Sequence, residues 1–61
     1  MTGTIKDTTD KKYIGDVIHF DLLKLTLPSG EDFEVIGRCH IGNGLWRVWN
    51  SNYVIDIEEV K

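Results

Sequence analysis

The chain reads as an all-β protein, a small four- to five-stranded antiparallel meander. Three observations predict it. Apolar residues recur at every second position from Tyr13 onward, the period of a half-buried strand. Pro28-Ser29-Gly30 and Asn43-Gly44 carry the residues that tight hairpin turns demand. Each hairpin, in the register its turn dictates, then gathers apolar side chains on one face.

Residues 1–12 read as a flexible arm, rich in Thr, Asp and Lys, with Ile5 the only large aliphatic after Met1. Residues 13–61 form the single domain. In its first strand Ile14, Asp16, Ile18 and Phe20 share a parity. The apolar parity then flips between Leu22 and Leu23, which predicts a bulge or sharp bend near Asp21-Leu22. The next strand carries Leu23, Leu25 and Leu27, separated by Lys24 and Thr26. Pro28 fits the first turn position and Gly30 the position of positive φ, so the loop has three residues. That register sets Leu27 opposite Glu31, Leu25 opposite Phe33, Leu23 opposite Val35 and Lys24 opposite Glu34.

Phe33, Val35, Gly37, Cys39 and Ile41 then alternate with Glu34, Ile36, Arg38 and His40. A two-residue turn at Asn43-Gly44 pairs Gly42 with Leu45, Ile41 with Trp46, His40 with Arg47, Cys39 with Val48 and Arg38 with Trp49. Asn50-Ser51-Asn52 marks a third turn. The segment after it reads as a strand for its β-branched Val54, Ile55 and Ile57; a short helix capped by Ser51 is the competing reading. Strands this short, linked by hairpins, curl into a small open barrel or a strongly twisted sheet.

Gly15-Asp16-Val17-Ile18 and Ser51-Asn52-Tyr53-Val54 resemble segments of the eukaryotic SH3 domain, where a Gly-Asp strand start and a Ser-Asn-Tyr-Val stretch flank the barrel. The resemblance covers these two segments alone and implies SH3-like barrel geometry. It carries over no proline-peptide binding. The Ala-Leu-Tyr-Asp-Tyr start is absent, Trp46 and Trp49 are not adjacent, and no Pro precedes Ser51.

Composition narrows the function classes. The chain has 61 residues and a formal net charge of −3, against the cationic surplus that nucleic-acid binding generally uses. One Cys and two His are too few for a closed zinc site, and no disulfide can form within the chain. No apolar run spans a membrane. The polar start lacks the form of a signal peptide, so a cytoplasmic location is expected. Cys39 and His40 are neighbours on a strand and point to opposite faces, which argues against a thiolate–imidazole pair. On this reading Cys39 is a buried, inert thiol. Asp56, Glu58 and Glu59 read as a solvated strand edge. No catalytic residue, cofactor or metal is expected.

The candidate binding residues are Ile36, Arg38, His40, Leu45, Arg47 and Trp49, all on the outer face of the second hairpin in the expected register. Trp and Arg are enriched in binding hot spots. The expected occupant is a protein partner or a second copy of the chain. The alternative is single-stranded nucleic acid, with Trp49 as stacking platform and Arg38, Arg47 and Lys24 along phosphates.

Overall fold

The structure is a computed structural model that describes residues 1–21 and 23–60. Its strands are β1 (Thr2–Thr8), β2 (Val17–His19), β3 (Lys24–Thr26), β4 (Asp32–Glu34), β5 (Gly37–Gly42), β6 (Leu45–Trp49) and β7 (Val54–Glu59). A short 3-10 helix, Lys11–Tyr13, follows β1, and its Asp10 cap accepts a hydrogen bond from the Lys12 N–H. The fold is all-β. One antiparallel sheet has the order β2-β1-β7-β6-β5, and β3 and β4 form a second, two-stranded sheet. A bridge between Phe20 and Leu25 links the two.

The first hairpin takes the register its turn predicts. Lys24 pairs with Glu34, Leu25 with Phe33 and Thr26 with Asp32. The Leu27 N–H donates to Glu31 O at 2.8 Å, and the Gly30 N–H donates to Leu27 O at 2.8 Å. Gly30 has φ 91°, a conformation that glycine adopts without steric cost. The bend expected near Asp21-Leu22 is an Asx turn, with the Asp21 carboxylate accepting from the Leu23 and Lys24 N–H groups, each at 2.8 Å. Leu22 itself lies outside the described residues. The last segment is strand rather than helix.

Three expectations are corrected. Residues 1–12 are not a flexible arm. β1 lies inside the sheet, hydrogen-bonded to β2 on one side and β7 on the other, and Ile5 is fully buried. Pairing along both edges anchors a segment that has little apolar surface of its own. Asp56, Glu58 and Glu59 are not an edge, because β7 is the middle strand of the sheet. Their side chains instead meet partners on neighbouring strands: Arg47 for Asp56, Lys6 for Glu58 and Trp46 for Glu59. Cys39 is exposed, not buried, for a reason that lies in the second hairpin.

The core sits between the large sheet and the β3–β4 hairpin. Ile5, Ile18, Val48, Ile55 and Ile57 come from the sheet; Phe20, Leu25, Leu27 and Phe33 close over them. Fully burying a Val or Ile side chain contributes about 1.5–3 kcal/mol, which makes the all-buried set Ile5, Val48, Ile55 and Ile57 the centre of the stability. The Tyr53 ring packs edge-on against Phe33, with centroids 5.9 Å apart, and burial pushes its hydroxyl pKa up.

Candidate functional site

The second hairpin begins as its turn chemistry predicts. Asn43 (φ 51°) and Gly44 (φ 79°) both lie in the positive-φ region required by a type I′ turn, and Gly42 pairs with Leu45. Beyond that pair the register departs from expectation. A bulge at Ile41 shifts the ladder, so His40 faces Trp46, Cys39 faces Arg47, Arg38 faces Val48 and Gly37 faces Trp49. Gly42 makes the bulge possible, since its φ of 132° is a conformation that side-chain-bearing residues rarely adopt. A glycine directly before Asn-Gly was the one local signal of it in the sequence.

The shift by one residue exchanges the faces of everything in β5 before the bulge. The six candidate residues therefore do not share a face. Leu45, Arg47 and Trp49 stand on the outer face of the sheet, together with Gly37 and Cys39. Arg38 and His40 lie on the core-side face, in line with Val48 and Trp46. Ile36 precedes the strand, 68% exposed, and its N–H donates to Trp49 O at 2.9 Å. Cys39 and His40 still point to opposite sides, so the thiol and imidazole form no pair.

Each face of the hairpin carries one half-buried tryptophan. On the core-side face Trp46 packs against the core and donates from Nε1 to Glu59 Oε1 at 2.7 Å. The His40 ring lies against it, with centroids 4.6 Å apart and planes inclined by 39°. On the outer face the Trp49 indole lies across Gly37, so close that a Cβ at residue 37 would stand 2.3 Å from the ring. This cross-strand pairing of a glycine with an aromatic ring covers the bare backbone of an edge strand.

The two arginines are separated as well. Arg47 makes a bidentate contact with Asp56, Nε to Oδ1 at 2.7 Å and Nη2 to Oδ2 at 3.0 Å. The hydrogen bond and the charge of Asp56 push the Arg47 pKa further up. Next to this pair, the side chain of Lys11 contacts Asp7, and the hydrogen bond from Lys11 holds the Asp7 carboxyl below its ordinary value. Both cations of this outer patch are thereby matched by acids.

An open groove of about 730 Å³ lies between β2 and the first hairpin. Phe20, Leu25 and Phe33 line it, with Leu23 68% exposed among its residues. Among the described residues no group of three or more His, Cys, Asp or Glu side chains converges on a common point. Among those residues no helix is long and apolar enough to cross a membrane. No protein-family model, curated protein or solved structure matches the chain.

Proposed function

We propose that this protein is a non-catalytic recognition module that binds a protein partner, or a second copy of itself, through the β5–β6 hairpin of an SH3-like open barrel. The supporting observation is the placement of the two indoles, one on each face of a hairpin whose outer strand ends the sheet. Large amphipathic rings beside an edge strand offer contact area at low entropic cost, the composition of binding hot spots. The order of neighbouring strands supports the barrel geometry. Running from β4 and β3 through the Phe20–Leu25 bridge to β2-β1-β7-β6-β5, it leaves β4 and β5 as the two lips of an open seam.

Single-stranded nucleic acid is the weaker reading. Arg38 and Arg47 lie on opposite faces, and Arg47 is matched by Asp56, so no continuous cationic track runs beside Trp49 as phosphate recognition needs.

The test compares capture from the native host by the wild type, Trp49→Ala and Trp46→Ala, with unfolding followed for each. Trp49→Ala is expected to lose captured protein while costing only about 1 kcal/mol of stability, in keeping with a half-buried ring that lies outside the core. Trp46→Ala, which removes core packing and the Glu59 hydrogen bond, is expected to cost about 3 kcal/mol. Equal losses of stability with capture unchanged in both variants would remove the hairpin from recognition.

A further inference from the structure

We propose that Asn43 is a site of covalent self-modification in the folded protein. Its carboxamide leaves as ammonia through a cyclic imide closed by the Gly44 nitrogen, and water reopens the ring to an aspartyl residue. The inference stands apart from what the second hairpin binds. Asn43 is exposed, in the turn between β5 and β6. Among the described residues, neither its carboxamide nor the Gly44 N–H has a hydrogen-bond partner. The carbon to be attacked and the nitrogen that attacks it are therefore not committed elsewhere. Gly44 has no Cβ to stand in the way of ring closure, and asparagine is among the thermolabile residues.

The other two asparagines of the chain, Asn50 and Asn52, are placed differently. Asn50 Oδ1 accepts from the Asn52 N–H at 2.9 Å, the Asn50 N–H donates to Tyr53 O at 2.9 Å, and the next residue, Ser51, carries a side chain. Asn52 precedes Tyr53, whose ring is packed against Phe33, so the nitrogen that would attack belongs to an anchored residue. The step at Asn43 needs water and no other reactant. A bond forms from the Gly44 nitrogen to Asn43 Cγ, the Cγ–Nδ2 bond breaks, and the amide nitrogen departs as ammonia with the Gly44 proton. Water then opens the ring on either side. Opening at Cγ restores the peptide bond beside a new side-chain carboxylate. Opening at the backbone carbonyl leaves the chain running through Cγ, longer by the Cβ carbon. That β-linked product does not fit a two-residue turn in which Asn43 and Gly44 both hold positive φ and Gly42 faces Leu45. Gly44 O also accepts from the Glu59 N–H at 2.8 Å, and Glu59 holds the Trp46 indole, so the change reaches β7.

The test incubates the whole chain for days in mildly alkaline buffer made with heavy-oxygen water, then measures peptide masses. The peptide holding Asn43 is expected to lose its amide, take up heavy oxygen and split into two species of equal mass, while Asn50 and Asn52 stay intact. Asn43→Asp supplies the α-linked standard. Asn43→Gly keeps a residue pair suited to the turn and is expected to hold its intact mass. In amide spectra of the aged wild type, new resonances are expected for Gly42, Leu45 and Glu59, with β3 and β4 unmoved. Conversion only in chains unfolded by urea overturns the proposal, because the folded turn then shields the site. Equal mass gain in Asn43→Gly and wild type, or conversion that begins at Asn50 or Asn52, overturns it as well. A single α-linked product overturns the imide route, since direct hydrolysis leaves the backbone as it was.

Discussion

Gly37 shows how a single missing side chain shapes the hairpin. Its hydrogen is what lets the Trp49 indole lie flat on the sheet, since a Cβ would meet three ring atoms at 2.3–2.6 Å. Gly37→Ala therefore has to lift the ring toward solvent. A destabilisation of about 1–3 kcal/mol is expected, the usual range for an overpacked site, together with a red-shifted tryptophan emission that Trp49→Phe removes. An unchanged emission spectrum would mean that the backbone, not the indole, had moved. The same residue bears on the legibility of the site. Alternation in the sequence puts Gly37 among apolar neighbours, and nothing local says that its partner across the ladder is Trp49 rather than Asn50.

Among the elements, β1 and β5 exchanged their expected roles. By composition β1 resembles a solvated tail, and β5 resembles a half-buried strand. Yet β1 is paired on both sides, with Ile5 fully buried, while the middle residues of β5, Arg38 to Ile41, are all exposed. Ile5→Ala is accordingly expected to cost about 2–5 kcal/mol, as for other deletions of buried aliphatic atoms. The amides of β1 should exchange with solvent as slowly as those of β7 and more slowly than those of β5. Rapid exchange across Thr4–Thr8 in the intact protein would contradict this placement. The misreading has a physical cause: strand pairing distributes stability through backbone hydrogen bonds that leave no mark in side-chain composition.

For the molecule as a whole, stability rests on a thin core, as a chain this short buries a smaller fraction of its surface than larger domains do, and acid should expose that margin. Two exposed carboxylates have lowered pKa values. Hydrogen bonds from the Leu23 and Lys24 N–H groups lower that of Asp21, and Lys11 lowers that of Asp7. A carboxylate whose pKa is depressed in the folded state adds stability above its unfolded pKa and loses it as pH falls through the folded value. Wild-type stability should therefore decline as pH drops below the ordinary value of 3.8. Asp21→Asn keeps an oxygen acceptor for the turn but cannot ionise. It should be somewhat less stable at neutral pH and show a shallower acid decline, measured by urea unfolding at a series of pH values. Parallel acid limbs would show that the Asx turn carries none of the effect.

The readings that held in this chain are those governed by neighbours in sequence. Pro28-Ser29-Gly30 and Asn43-Gly44 restrict a few backbone angles, and those angles set the first hairpin's register and the first pair of the second. An all-β fold follows from such turns joined to two-residue alternation. The faces of the second hairpin, the central position of β1 and the exposure of Cys39 have another origin. Each depends on where a strand finds its partner, and hydrogen bonding between distant strands can absorb an extra residue at Ile41, or enclose a polar segment, at little local cost. Side-chain pattern records which residues prefer to be buried together, whereas the packed sheet settles which edges remain open to another chain.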